Sequence, residues 1–178
     1  MLKPENTMLV LVDVQVKLIR AIHDAEGLLR SAVRLVRGAK VLGVPILWTE
    51  QNPAGLGPTV GELAGLLDGQ PLIKLSFSCC GEEAFMEALR SLARRDVLLA
   101  GIEAHVCVYQ TAVDLLGAGY RVQVVSDAVG SRTPSNRAVG LERMTALGAL
   151  ITSVETALFE LLGRAEGERF KEILSIVK

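Results

Sequence analysis

Three residues with reactive side chains, Asp13, Lys74 and Cys107, each stand at or just after the end of an apolar run. Cysteine attacks as a thiolate, so it needs a base to take its proton and positive charge nearby. A carboxylate accepts that proton and later returns it, and an ammonium group within about 4–6 Å favours the charged forms. These side chains therefore predict nucleophilic chemistry at Cys107, provided that the fold brings them together.

Each of the three residues also has an ordinary structural explanation. Cysteine often packs in a core as a small apolar residue. An aspartate after a first strand often caps a helix or binds a metal ion, and a lysine at a strand end is usually solvated. The elements that position the three residues decide between these interpretations.

Apolar runs alternate along the chain with segments of helical periodicity, which predicts an α/β fold with a parallel sheet and helices on both faces. The predicted strands are Met8–Val12, Pro45–Trp48, Pro71–Lys74, Val97–Ile102, Tyr120–Val125 and Ala149–Ile151. The predicted helices are Leu28–Leu42, Glu82–Arg95, a segment from Val106, Ser135 (as cap) to Leu147, Glu155–Leu162 and a tail from Phe170. With no linker or repeat, the chain reads as a single domain over residues 1–178.

The carboxyl ends of parallel strands meet at one edge of the sheet, where ligands bind. Cys107 falls in or just before the first turn of the helix that follows the strand Val97–Ile102. The positive potential of a helix N-terminus favours a thiolate there. Thr49–Pro58 contains two prolines and two glycines, and this predicts a loop at the same edge.

Composition argues against several classes of partner. The 19 Lys and Arg residues nearly balance the 20 Asp and Glu residues, for a net charge of −1, which does not indicate a nucleic-acid surface. No apolar run approaches the roughly 18 residues of a membrane span. We therefore expect neither nucleic acid nor membrane as a partner.

Cysteine usage and the N-terminal segment predict a cytoplasmic location. The cysteines are Cys79, Cys80 and Cys107, and an odd number that includes an adjacent pair makes a poor disulfide framework. The segment before Met8 lacks the apolar core of a signal peptide. We expect Cys79 and Cys80 to pack in the structure, since adjacent cysteines rarely bridge without strain.

The motifs around the three reactive residues resemble those of the isochorismatase-like cysteine hydrolases. They are Leu-Val-Asp-Val-Gln at Asp13, Ile-Lys-Leu-Ser-Phe-Ser at Lys74 and Gly-Ile-Glu-Ala-His-Val-Cys-Val at Cys107. Segment 49–59 is similar in particular to the branch called isochorismatase domain-containing proteins, and segment 127–132 matches a further family motif. The resemblance runs in order from about Met8 to Leu162.

This resemblance implies a three-layer, Rossmann-like fold with a six-stranded sheet, and a catalytic triad of Asp13, Lys74 and Cys107. It also implies a cis peptide at Ile102–Glu103 and an oxyanion hole formed by the backbone N–H groups of Glu103 and Cys107. The family further suggests a homo-oligomer, a dimer or larger.

Departures from the family narrow the predicted subclass. Nicotinamidases of the family bind a metal through an Asp-x-His pair and further histidines, whereas the two histidines here, His23 and His105, lie outside segment 49–58. Thr49–Gln51 stands where those ligands would be, so we expect no metal and no cofactor. Isochorismatases proper lack the nucleophilic cysteine, and N-carbamoyl amidases have more charged residues around the triad. The sequence thus predicts a metal-free hydrolase of a small amide-like or ester-like molecule.

Further residues near the strand ends are candidates for binding substrate. We predict Gln15, Trp48, Gln51 and Phe77 for this role, with core packing or helix capping as the alternative. His105 lies two positions before Cys107, and side chains at that spacing point apart on a helix, which argues against a Cys–His pair.

Two other functions fit the same sequence. A catalytically silent module would keep the fold and bind partners through an oligomer surface. A thiol redox protein would use Cys79, Cys80 or Cys107 and form a reversible disulfide or sulfenic acid.

Overall fold

A computed structural model describes residues 1–178. Six strands form one sheet: β1 (Thr7–Val12), β2 (Ile46–Gln51), β3 (Leu72–Lys74), β4 (Asp96–Ile102), β5 (Arg121–Gly130) and β6 (Leu150–Thr152). Their order is β3-β2-β1-β4-β5-β6, and every neighbouring pair is parallel. The predicted six-stranded parallel α/β sheet is confirmed.

Nine α-helices surround the sheet: α1 (Val16–Ile19), α2 (Ala25–Val41), α3 (Pro53–Leu56), α4 (Gly61–Ala64), α5 (Glu83–Ser91), α6 (Cys107–Gly117), α7 (Pro134–Ala146), α8 (Val154–Leu162) and α9 (Gly167–Val177). Two 3-10 helices, Pro4–Asn6 and Cys79–Gly81, complete the chain. None of the helices combines the length and the apolar character that crossing a membrane requires.

Each face of the sheet has its own apolar core. A cluster of 25 buried residues joins the sheet to α2, α8 and α9, and a cluster of 18 joins the opposite face to α5, α6 and α7. Strand β1 shows the alternation, since Leu9 and Leu11 belong to the first cluster and Val10 and Val12 to the second. Because both faces are covered, β1 is buried along its whole length and is almost entirely apolar.

The order of the strands places a switch point between β1 and β4. The chain passes from β1 outward through β2 to β3, then returns to β4 on the other side of β1 and continues to β5 and β6. Strand β4 approaches β1 so closely that a Cβ at Gly101 would lie 2.1 Å from the carbonyl oxygen of Val12. Ligand sites in open parallel sheets lie at such a switch point, at the carboxyl ends of the strands.

Several predicted boundaries were wrong, most clearly at the end of β2. Thr49, Glu50 and Gln51 belong to this strand, where they pair with residues 72–74 of β3, and α3 follows within the segment predicted as a loop. The prolines and glycines of segment 49–58 predict a loop, but all four lie after Gln51, and the side chains of Thr49 and Gln51 have hydrogen-bond partners at the sheet edge. Strand β5 likewise continues five residues beyond its predicted end.

Two helix ends also differ from the prediction. Helix α5 ends at Ser91 rather than Arg95, because Ala93 adopts a positive φ of 51° in the turn to β4. The cap of α7 is Thr133, whose side chain accepts from the Asn136 N–H, and not Ser135. Pro134 takes the first helical position, where its missing N–H has no cost.

Candidate active site

A buried ion pair joins the ends of β1 and β3. Lys74 Nζ lies 2.7 Å from Asp13 Oδ2, and the two side chains are 1% and 0% exposed. The ammonium also donates to Gln51 Oε1 at 2.7 Å and to the carbonyl oxygens of Ser76 and Phe77 at 3.1 and 3.0 Å. Lys74 is therefore fixed by four oxygens, and it holds the loop after β3 against the end of β2.

The second carboxylate oxygen of Asp13 is held by Thr49 of β2. Thr49 Oγ1 donates to Asp13 Oδ1 at 2.7 Å and lies 3.8 Å from Cys79 Sγ. A hydroxyl has one proton to donate, and an ionised carboxylate is only an acceptor, so the Cys79 thiol must be the donor to Thr49. Burial raises the pKa of Cys79 to about 11, which keeps that proton on the sulfur.

Cys107 is the first residue of α6 and lies beside this pair. Its side chain is buried, and Sγ lies 3.7 Å from Gln51 Oε1. Burial raises the pKa of Cys107 to about 12; the positive charge of Lys74 opposes this rise, whereas the negative charge of Asp13 adds to it. The resting form is therefore a thiol, contrary to the thiolate expected from the helix terminus and Lys74, because burial and Asp13 outweigh both.

The turn between β4 and α6 carries two backbone N–H groups that are free to bind a ligand. Neither the Glu103 nor the Cys107 N–H donates a hydrogen bond to another group of the chain. The peptide bond between Ile102 and Glu103 is cis. Free donors beside a nucleophile have the chemistry of an oxyanion hole.

Two neighbouring segments hold this turn in place. The Ala104 N–H donates to the carbonyl oxygen of Gly130 at 2.8 Å, and the Glu103 carboxylate accepts from the backbone and side chain of Arg132. Helix α7 packs directly on the turn, since a Cβ at Gly140 would lie 2.6 Å from the carbonyl oxygen of Ala104. The position of the free N–H groups therefore depends on β5 and α7.

The four residues predicted to bind substrate lie in different surroundings. Gln51 contacts both Lys74 and the Cys107 sulfur, and Phe77 is exposed in the adjoining loop. Gln15 is fully buried and binds the backbone of Gln51 and Gly57, so it joins β2 to the following loop. Trp48 belongs to the apolar core on the face opposite the one that contains Cys107.

His105 and Cys80 do not contact the Cys107 sulfur through any hydrogen bond of the structure. His105 Nδ1 lies 3.0 Å from Ser131 Oγ, which directs the ring to the loop after β5. Cys80 is half-buried, and burial raises its pKa to about 12. No group of three or more His, Cys, Asp or Glu side chains is arranged to hold a metal ion.

Two contributors to the site were missed in the sequence. The sequence predicts a loop at Thr49, but as part of β2 this residue alternates with Trp48 and so faces the side of the sheet that holds Cys107. Glu82 accepts from Ser76 and Leu75, which lowers its pKa and fixes the loop that Lys74 also holds. An acidic residue seven positions after Leu75 carries no sequence signal for this role.

Comparisons with curated proteins show relatives along most of the chain. It is 40% identical over 176 residues to isochorismatase domain-containing protein 2 of Homo sapiens, covering 98% of this chain and 84% of that protein. It is also 40% identical to the secreted isochorismatase effector Isc1 of Phytophthora sojae, covering 98% and 86%. By contrast, it spans 62% of the length of isochorismatase domain-containing protein 1 of Danio rerio, at 37% identity.

Solved structures share the fold across almost the whole chain. A MAR1 ribonuclease from Caenorhabditis elegans matches with a TM-score of 0.92 and 36% identity, covering 99% of this chain and 91% of that one. YcaC from Pseudomonas aeruginosa, described with covalent acrylamide, has a TM-score of 0.92 and 26% identity, covering 98% and 90%. The YcaC gene product of Escherichia coli, an octameric hydrolase of unknown specificity, shares the fold at 23% identity, with a TM-score of 0.93 and coverage of 98% and 88%.

A match to a protein-family model identifies the family to which these relatives belong. The model described as the isochorismatase domain matches residues 7–156, which include Asp13, Lys74 and Cys107. With the curated relatives at about 40% identity, this match shows that the chain belongs to the isochorismatase-like hydrolase family.

Proposed function

We propose that this protein is a metal-free cysteine hydrolase that acts on a small amide-like or ester-like substrate through a thioester acyl-enzyme. The observation that carries the proposal is the buried Asp13–Lys74 ion pair beside the Cys107 thiol. A carboxylate in contact with a lysine, next to a thiol whose pKa is raised, is suited to take the proton during attack.

In the first half of the reaction, Cys107 Sγ attacks the substrate carbonyl carbon as its proton passes to Asp13. The carbonyl oxygen becomes an oxyanion, which accepts hydrogen bonds from the Glu103 and Cys107 N–H groups; each such donor is worth about 2.7–4 kcal/mol. The bond from carbon to the leaving nitrogen or oxygen then breaks. The leaving group takes the proton from Asp13, and a thioester remains on Cys107.

In the second half, water attacks the thioester carbon and gives a proton to Asp13. The carbon–sulfur bond breaks, the carboxylic acid product is released, and the sulfur regains a proton from Asp13. Lys74 remains charged throughout, since its role is to hold Asp13 and the loop around the site. Gln51 and Phe77, at the mouth of this arrangement, are proposed to contact the substrate.

Mass spectrometry of the intact protein with libraries of amides and esters tests this mechanism. We expect turnover of at least one class of compound and an acyl adduct on Cys107, with both lost in Cys107→Ala and kept in Cys80→Ala. Acrylamide is a useful first probe, because the P. aeruginosa YcaC structure contains covalent acrylamide. Activity that survives in Cys107→Ala, with no adduct on Cys107, would contradict the proposal.

Ribonuclease activity is a second candidate, favoured by the 36% identity to the C. elegans MAR1 ribonuclease. Incubation of the parent protein and of Cys107→Ala with single-stranded RNA distinguishes a ribonuclease from the proposed cysteine hydrolase. RNA cleavage that persists in Cys107→Ala would favour this candidate, because the thioester route needs the sulfur. The absence of cleavage in repeated preparations would exclude it.

We further propose that the protein works in the cytoplasm as a homo-oligomer. The free thiols favour a reducing compartment, although one relative, Isc1, is named as secreted. Cell fractionation measures the location and analytical ultracentrifugation measures the oligomeric state. A secreted protein would contradict the first part of the proposal, and a monomer would contradict the second.

A catalytically silent module with the same fold is the alternative to an enzyme. If no substrate is found and Asp13→Asn leaves the alkylation of Cys107 unchanged, the silent module becomes the better interpretation.

A further inference from the structure

A cavity of about 490 Å³ lies between α2, which covers one face of the sheet, and α7, which covers the other. Its walls are the first half of α2, the end of β5 and the start of α7, and it is lined mainly by polar residues. None of Asp13, Lys74 and Cys107 contributes to it. A ligand in this cavity would therefore not contact the three residues of the proposed reaction.

Three arginines from two helices line this cavity: Arg30 and Arg34 from α2, and Arg137 from α7. Arg137 is half-buried and donates to the carbonyl oxygens of Val129 and Ser126, which fix its guanidinium group without neutralising it. Arg34 forms no ion pair, and Arg30 has only an exposed contact with Glu26 at 3.7 Å. Two of the three positive charges thus lack an acidic partner.

The acidic residues of the cavity already have structural roles. Asp24 caps α2 by accepting from the Gly27 N–H at 3.1 Å, and Asp127 accepts from the N–H of Val154 at the start of α8 at 2.9 Å. Carboxylates at helix N-termini are stabilised there by the helix dipole. They do not pair with Arg34 or Arg137, so the guanidinium groups remain available for a ligand.

We propose that this cavity binds a small, multiply charged anion, such as a phosphate ester or a di- or tricarboxylate. Guanidinium groups donate two parallel hydrogen bonds to phosphate or carboxylate oxygens, and Arg137 is held ready for such a contact. Ser31 and His23, which also line the cavity, add polar groups at its edge. The carboxylates of Asp24 and Asp127 also line the cavity and would repel the further charges of an extended polyanion such as RNA. The cavity therefore suits a compact anion that contacts the arginines alone.

Isothermal titration calorimetry of the intact protein tests this site, with inorganic phosphate, citrate, adenosine monophosphate and a short single-stranded RNA as probes. Arg34→Gln removes an exposed lining charge, and Arg37→Gln removes an exposed charge three residues further along α2 that does not line the cavity. We expect one or more small anions to bind, at least tenfold more weakly to Arg34→Gln and unchanged to Arg37→Gln. Thermal melting checks that both variants are folded.

Three results would overturn the proposed anion site. They are no binding of any small anion up to about 10 mM, equal affinity of Arg34→Gln and the parent, or an equal loss of affinity in Arg34→Gln and Arg37→Gln. RNA that binds while the small anions do not would also overturn it, since this would indicate contact with an extended charged surface. Binding of adenosine monophosphate or phosphate without citrate assigns the site to phosphates, and the reverse assigns it to carboxylates.

Discussion

Lys74 Nζ and Asp13 Oδ2 lie 2.7 Å apart, and solvent reaches neither side chain. Removing one member of a buried ion pair leaves the other charge without a partner and costs about 3–5 kcal/mol, whereas removing both costs less. We therefore expect Lys74→Met to lower the free energy of unfolding by that amount, and the double variant with Asp13→Asn to recover part of the loss. Urea denaturation of the parent, both single variants and the double variant measures this coupling; additive losses would contradict it.

The negative charge of Asp13 helps to keep Cys107 protonated. The negative charge of Asp13 raises the pKa of Cys107, while the positive charge of Lys74 lowers it. Asp13→Asn should therefore lower this pKa and make iodoacetamide label Cys107 faster at neutral pH, since the thiolate is the reactive form. Peptide mapping by mass spectrometry measures the rate, with the Cys80 peptide as internal control. If Asp13→Asn and the parent are labelled at the same rate, the charge of Asp13 does not raise the pKa of Cys107.

Thr49 supplies the hydroxyl that holds Asp13. Thr49→Val keeps the shape of the side chain but leaves Asp13 Oδ1 and the Cys79 thiol without a partner, which costs about 1–3 kcal/mol. We expect this variant to lose stability by that amount and, under the proposed mechanism, to turn over roughly tenfold more slowly or worse. Thr49→Ser retains the hydroxyl and is the matched control. Equal effects of the two substitutions would show that the methyl group, not the hydroxyl, matters.

Gly140 allows α7 to rest on the turn that carries the free N–H groups. A Cβ at this position would lie 2.6 Å from the Ala104 carbonyl oxygen and 2.9 Å from the His105 nitrogen, so Gly140→Ala should destabilise the fold by about 1–3 kcal/mol. Gly117→Ala in α6 is the control, because nothing lies within 4 Å of its added Cβ. It should be neutral or stabilising by up to about 1 kcal/mol. Thermal melting compares the two, and equal shifts would contradict the close contact.

Cys79 makes the fold sensitive to alkaline pH. Its pKa rises from 9.0 to about 11 on folding, so the folded state holds this proton more tightly than the unfolded chain does. The resulting stability is complete below pH 9.0 and is lost as the pH rises to about 11, at about 1.4 kcal/mol per pH unit. Unfolding by urea at several pH values under reducing conditions measures the slope. Cys79→Ala should decrease it, and an identical slope would remove Cys79 as the cause.

The proximity of Asp13, Lys74 and Cys107 could be predicted because each follows a run of apolar residues. Such runs predict buried parallel strands, and the carboxyl ends of those strands must meet at one edge. The structure indeed places Asp13 and Lys74 in contact, with Cys107 beside them. Residue type and position at the strand ends are therefore sufficient to predict that these three residues lie close together.

The protonation of Cys107 and the environment of Trp48 could not be anticipated in the same way. Whether the thiol ionises depends on a balance between burial, Lys74 and Asp13, and sequence spacing does not determine that balance. Trp48 lies next to Thr49 in the chain, but neighbouring residues of a strand face opposite sides of the sheet. The prolines and glycines of segment 49–58 predict a loop from Thr49 onward, and a loop gives no alternation from which to place Thr49 and Gln51.

The four oxygens around Lys74 have a practical consequence for labelling the protein. An amine attacks acylating or carbonyl reagents only when its lone pair is free, and the nitrogen of Lys74 is charged, enclosed and fully engaged. The other five lysines are exposed. Amine-directed cross-linkers and fluorophores should therefore attach to the surface lysines and leave the ammonium group at the centre of the molecule untouched.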